Sequence, residues 1–151
     1  MSPLRPGSTI GIIGGGQLGR MLSMAAAQLG YRCHIYAPEE SGPAADVSAK
    51  WVQGDYGDAK SLLAFANDVS VVTFVFENIE PEALKPLTDA KPLYPPLKAL
   101  EIGQDRIAEK RFAAEQGGRT AAWAAVNNRE ELDVAFVHLR PCRNNERSPP
   151  H

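Results

Sequence analysis

The sequence predicts an α/β domain built on a parallel sheet, and three observations predict it. An apolar, β-branched run at residues 9–13 drives straight into the glycines of GGGQLG, residues 14–19. Apolar residues at helical spacing follow as far as Gly30, and a second strand-like run at 32–36 closes the unit. Strand, glycine turn, helix, glycine, strand is the order of a βαβ unit with its right-handed crossover. The unit repeats in weaker form to about residue 100, which gives a small three-layer α/β domain.

Each element has its own reason. Thr9 to Ile13 is short, apolar and β-branched, as a strand covered on both faces must be. Leu18, Met21, Leu22, Ala25 and Leu29 recur at helical spacing and predict a helix with these residues as its apolar stripe. Gly30 stands where a helix-ending glycine belongs. Arg32 to Tyr36 is the second strand, closed by Ala37-Pro38, and Lys50 to Gln53 a short third one. Gly54-Asp55-Tyr56-Gly57-Asp58 is a turn cluster, with Asp58 the N-cap of a helix through Leu62, Leu63 and Phe65.

The run VSVVTFVF, Val69 to Phe76, is the strongest strand pattern and predicts a central strand covered on both faces. A helix starts at Pro81, and KPLYPP gives a short edge strand stopped by proline on each side. Residues 97–118 are helical and amphipathic, with Ile107, Phe112 and Ala113 or Ala114 inward and Gly117-Gly118 as the stop. TAAWAAV reads as a short strand, and NREELDVAFVHL as a helix with Asn128 near its N-cap. The last stretch, RPCRNNERSPPH, is polar and proline-bearing, as a disordered tail is.

Bulk composition narrows the functional classes. The 151 residues suit one domain plus part of another, and 44% hydrophobic with 23% charged is an ordinary globular balance. A net charge of −2 gives no whole-chain argument for nucleic acid or an anionic membrane. Cys33 and Cys142 stand far apart, and His34, His138 and His151 pair with neither cysteines nor carboxylates at ligand spacing, so no metal site is expected. Cys33 falls within a strand pattern, where a buried reduced thiol is expected. No secretory signal or membrane span is recognisable, and the expected location is the cytoplasm.

The glycine turn admits three readings. Gly14, Gly16 and Gly19 match the spacing of a dinucleotide fingerprint, with backbone amides at a helix start taking a pyrophosphate. The acidic residue that should follow about twenty positions on is missing, because Ala37 and Pro38 stand there and Glu39 beyond the proline is expected to point elsewhere. In the second reading the same turn holds a single phosphate, with Gln17 and Arg20 as nearby polar side chains. In the third the glycines only let strand and helix pack closely.

Three segments together, IGIIGGGQLGRMLSMAAAQLGYRCHIYAPE, VVTFVFENIEPEAL and GQDRIAEKRF, resemble the start of the N5-carboxyaminoimidazole ribonucleotide synthetases of the ATP-grasp superfamily. The resemblance covers about residues 8 to 133, and its combined motifs are far more specific than any one of them. It implies a pre-ATP-grasp Rossmann-like domain at 1–100, then a helical linker and the start of an ATP-grasp domain at 101–137, then the tail at 138–151. It implies an ATP-dependent carbon–nitrogen ligase of purine biosynthesis, which carboxylates aminoimidazole ribonucleotide with bicarbonate. ATP and magnesium are the family's cofactors, neither fully bound by this part alone. By residue, Gly15, Gly16, Gln17 and Leu18 match the turn that contacts the ribonucleotide, Glu77 a carboxylate of the substrate pocket, and Arg106 the arginine that approaches ATP. Lys110 completes the motif of that helix, although Arg106 and Lys110 with Asp105 and Glu109 also fit a surface charge pattern. The implied partners are small molecules, with a homodimer open.

Two departures qualify the match. The family reads T-x-E-x-E-N at the strand of Thr73, and here Val75 replaces the first glutamate, with the loss of a polar contact on the ribose side. After residue 137 the composition breaks, and the lysine, glycine-rich lid, magnesium carboxylates and basic substrate residues of the ATP-grasp body do not follow. A truncated or frameshifted reading frame explains such a break, and no synthetase activity is expected of the chain alone. Two rivals stay open: a fragment of a nucleotide-dependent oxidoreductase, and a non-catalytic module that binds a phosphorylated metabolite.

Overall fold

The computed structural model describes residues 3–139, which divide into two compact units, one ending at Asp105 and the other beginning at Arg106. The first unit carries four strands, β1 (Thr9–Ile13), β2 (Arg32–Ala37), β3 (Lys50–Gln53) and β4 (Val71–Phe74). All pair in parallel in the order β3-β2-β1-β4, with Ile12 opposite Ile35 on one side and Thr73 on the other. The helices of this unit are α1 (Gln17–Gln28), α2 (Ala59–Asn67), α3 (Pro81–Ala90) and α4 (Leu97–Gln104).

Alternation along each strand sorts the core into two layers. Ile12, Cys33 and Ile35 face α1 and pack with Ala26 and Ala44. Ile13, Tyr36 and Val72 face the other way, against Leu62, Phe65, Leu84, Leu87 and Leu100 of α2, α3 and α4. Burying each of these large side chains contributes about 2 kcal/mol, so the second layer holds most of the unit's apolar stabilisation. Cys33 is buried and reduced.

Helix ends follow local chemistry. The Asp58 carboxylate accepts from the backbone N–H of Lys60 and Ser61 and so caps α2 as expected. Pro81 opens α3 at its first turn, where a missing N–H costs nothing. Gly30, at φ +81°, takes the left-handed position that ends α1.

Three expectations are corrected in this unit. The stripe of α1 that faces the sheet is Gly19, Ser23 and Ala26, whereas Leu18 and Met21 are 58% and 64% exposed and Leu22 and Leu29 are exposed too. Helix and sheet approach too closely for leucines to fit between them. The strand expected at Val69 to Phe76 pairs only over Val71–Phe74 and lies beside β1 on the outer side of the sheet. The edge strand expected in KPLYPP shrinks to one parallel bridge between Leu93 and Val72.

The second unit holds α5 (Arg106–Glu115) and α6 (Arg129–His138). The single helix expected over 97–118 is therefore two, separated at Asp105, whose φ of −108° and ψ of 109° are extended. Phe112 and Ala114 are exposed and Ile107 and Ala113 half-buried, so this helix buries less than its pattern suggests. TAAWAAV forms no strand. Asn128 caps α6 by accepting from the Glu131 N–H at 2.9 Å, and the Glu131 carboxylate accepts from the Asn127 N–H at 2.8 Å. Helix α6 ends at His138, within the helix expected from NREELDVAFVHL; from residue 140 on, the tail and Cys142 lie outside the described residues.

Candidate functional site

At the carboxyl edge of the sheet, β1 runs into α1 through Gly14, Gly15 and Gly16. Gly14 has φ +123°, a conformation that side-chain-bearing residues rarely adopt. A Cβ on Gly19 would collide with the Gly14 carbonyl oxygen, so strand end and helix start touch through main chain alone. Packing therefore accounts for Gly14 and Gly19. It does not account for Gly16, where a Cβ would meet nothing within 4 Å.

The amides of this turn divide in the same way. The Gly14 N–H donates to the Tyr36 carbonyl at 2.9 Å and continues the sheet ladder. The first bond of α1 runs from the Arg20 N–H to the Gly16 carbonyl at 3.0 Å. The N–H groups of Gly16, Gln17, Leu18 and Gly19 consequently have no acceptor within the helix, and no side chain caps it. Donors at the positive end of a helix dipole form a seat for an anion.

That seat opens on a cleft of about 370 Å³. Gly14 to Leu18 make one wall, Glu39 and Ser41 to Pro43 another, and Trp51, Tyr56, Val75 and Phe76 the rest. The aromatic wall is braced: Tyr56 meets Phe76 edge to face, with centroids 5.0 Å apart. The Trp51 indole N–H donates to the Glu39 carbonyl at 3.0 Å. Burial, then the Glu39 carboxylate, pushes the Tyr56 phenol up to about 12, partly offset by its hydrogen bond with the Gly15 backbone.

The structure thus brings Gly15, Gly16, Gln17 and Leu18 together around one cavity. Glu77 is elsewhere, bordering a separate cleft of about 490 Å³ with Asn78, Ile79, Glu80, Gly103 and Gln104, and its carbonyl accepts from Gln104 Nε2. Arg20 turns away from the glycines to the Pro43 carbonyl and the Asp46 carboxylate, at 2.8 and 2.9 Å. Arg106 lies in the second unit, paired with Glu109 one turn on, while Lys110 Nζ stands 6.0 Å from the centroid of the Trp123 ring. Val75, the departure from the family pattern, lines the cleft, which carries no second carboxylate beside Glu39. Glu39 itself is a correction, because a bend through Pro38 and Glu39 returns it to the cleft. Trp51 and Tyr56 carry no functional signal in the sequence; position alone, in β3 and in the turn after it, makes them walls.

Among the described residues no cluster of three or more His, Cys, Asp or Glu could hold a metal. No helix there is long and apolar enough to cross a membrane.

Comparison with known proteins identifies the family. A synthase from Brucella melitensis, N5-carboxyaminoimidazole ribonucleotide synthase, is 48% identical over 136 residues, covering 90% of this chain and 38% of that protein. The bifunctional purine synthesis protein purC/E of Dictyostelium discoideum is 43% identical over 136 residues, covering 90% of this chain and 14% of its own length. Among solved structures, an ADP complex of an N5-carboxyaminoimidazole ribonucleotide synthetase superposes with a TM-score of 0.83 at 36% identity, over 91% of this chain and 36% of that one. The Aspergillus clavatus synthase in complex with ADP and 5-aminoimidazole ribonucleotide gives 0.76 at 26% identity, over 89% and 37%. The chain spans well under half the length of these relatives. The model of the ribonucleotide synthetase preATP-grasp domain matches residues 7–104, the whole sheet with its glycine turn, and the chain belongs to that family.

Proposed function

We propose that this chain is the ribonucleotide-binding domain of an N5-carboxyaminoimidazole ribonucleotide synthase. The phosphate of aminoimidazole ribonucleotide takes the amides of Gly16, Gln17 and Leu18, and the sugar and base extend along the aromatic wall. One observation carries this reading: Gly16 has open space where a side chain would stand, beside amides with no acceptor within their helix, on the rim of a cleft of nucleotide size. The similarity to synthases, one of them solved with 5-aminoimidazole ribonucleotide, supports the choice of ligand. Gly15 contributes by having no side chain, since a Cβ there would strike the Trp51 ring.

Carboxylation of the exocyclic amine with ATP and bicarbonate, with magnesium and Arg106 at the phosphates, is proposed for the complete synthase. Phosphoryl transfer depends on positioning and on a clamp of cations around the moving group. In this chain the part on offer is the seat of the acceptor ribonucleotide, and binding without turnover is the activity assigned to it. Glu77 borders the neighbouring cleft, so the seat rests on the glycine turn and Gln17, with Glu77 proposed as a more distant contact.

The test is calorimetric titration of the 151-residue chain with aminoimidazole ribonucleotide, inorganic phosphate and NAD. Binding of the ribonucleotide that is several-fold weaker in Gly16→Val at unchanged melting temperature is the expected result. NAD bound more tightly than the ribonucleotide would instead support a dinucleotide site.

A further inference from the structure

Two chemically opposite kinds of group line the cleft. One is a row of backbone donors with no side-chain charge; the other is Glu39. Its carboxylate has no hydrogen-bond or ion-pair partner among the described residues. Its main chain is nevertheless fixed, because the Trp51 indole N–H holds the Glu39 carbonyl, and Trp51 itself is half-buried against Gly15. Next to it, Gln53 Nε2 donates to the Pro38 carbonyl at 3.0 Å, a second tie on the same bend. Two side chains of β3 therefore pin the segment that carries this carboxylate.

An ionised carboxylate accepts hydrogen bonds and donates none. It repels a phosphate, so a phosphorylated occupant places its phosphate on the glycine amides and offers donors to Glu39. A phosphorylated ribose has this polarity, with acceptor oxygens at C5 and a pair of hydroxyl donors across the ring. A second phosphate extended toward Glu39 would meet like charge, which disfavours a pyrophosphate. Val75, where a carboxylate would be the family pattern, leaves Glu39 as the one anionic acceptor on the cleft wall.

We infer that Glu39 is the residue that recognises the ribose hydroxyls, accepting from the 2′ and 3′ hydroxyl groups while the glycine turn holds the 5′ phosphate. The inference rests on the ribonucleotide reading of the cleft. It assigns sugar selection to a side chain on the β2–β3 connection rather than to the strand of Val75.

The experiment compares aminoimidazole ribonucleotide with its 2′-deoxyribo counterpart, by calorimetry on the full chain, in the unaltered protein, Glu39→Gln and Glu39→Ala. Charge-assisted hydrogen bonds at a wet site set the expected size. The deoxy compound binds about five- to tenfold more weakly to the unaltered chain. In Glu39→Ala the two compounds bind alike, and Glu39→Gln, which keeps an acceptor but loses the charge, falls between. Because Glu39 is exposed, both variants fold, and their melting temperatures check it. Equal binding of the two compounds by the unaltered chain, or discrimination that survives in Glu39→Ala, overturns the inference while the ribonucleotide site stands. Failure of the unaltered chain to bind either compound overturns the site and the inference together.

Discussion

Gly19 sits so close beneath the Gly14 carbonyl oxygen that a methyl group cannot be inserted between them. Helix α1 therefore rests on the end of β1 by main-chain contact, and the glycine is structural. Gly19→Ala forces the helix start away from the strand and is expected to cost about 1–3 kcal/mol. Urea unfolding followed by circular dichroism measures it. A stability unchanged within error would show that α1 has room to move.

The two stripes of α1 give a paired prediction. Met21→Gln, on the exposed stripe, should leave stability within about 0.5 kcal/mol. Ala26→Leu, on the buried stripe, overfills the space against Ile12 and Ile35 and should cost about 1–3 kcal/mol. The reverse order of effects would mean that the leucine-and-methionine stripe faces the sheet.

Tyr56 should ionise last among the tyrosines near the cleft. Its phenol is pushed up to about 12, first by burial and then by the Glu39 carboxylate. A raised folded value favours the neutral form in the native state. Its contribution is therefore complete below the ordinary value of 10.0 and is lost as pH climbs through about 12. Ultraviolet titration should show a late-ionising phenol that is absent in Tyr56→Phe and shifted downward in Glu39→Gln. No change in Glu39→Gln would place that carboxylate farther from the phenol.

Acid should loosen the first unit through Asp58. The Ser61 hydroxyl, then the Ser61 backbone N–H, hold its carboxyl below the usual carboxylate range. Lys50 does the same for Asp68. A depressed folded value means stability that is present above the unfolded value, near 3.8, and is lost as pH falls through the lower folded one. Asp58→Asn keeps the cap oxygen but cannot titrate. Its unfolding midpoint should vary less between neutral pH and acid than that of the unaltered chain, and an identical acid response would remove Asp58 from the account.

Much of this was legible from residue order alone. The strand at Thr9–Ile13, the glycine turn, the Asp58 and Asn128 caps and the proline start of α3 depend on local chemistry, and a sequence displays local chemistry directly. The inward stripe of α1 was not legible, because hydrophobic periodicity marks large apolar residues while close packing selects small ones. Gly19, Ser23 and Ala26 form a stripe that the hydrophobic pattern hides. The apolar run at Val69 to Phe76 likewise suggests a longer strand, although its last residues, Val75 and Phe76, line the cleft, Val75 while still donating its N–H to the Ile13 carbonyl. Glu39 is not legible in the sequence, because a proline before it does not show which way the chain turns next. Its return depends on contacts from downstream, Trp51 to the Glu39 carbonyl and Gln53 to the Pro38 carbonyl.

The main-chain contact between Gly14 and Gly19 bears on how such a seat persists through mutation. A pocket made of side chains has rotamers to freeze, and each exchange of residue reshapes it. Peptide groups anchored to a sheet offer the same donors whatever surrounds them, and they are already in place when a guest arrives, so little ordering entropy is spent on capture. Neighbouring residues are then free to drift without disturbing those donors.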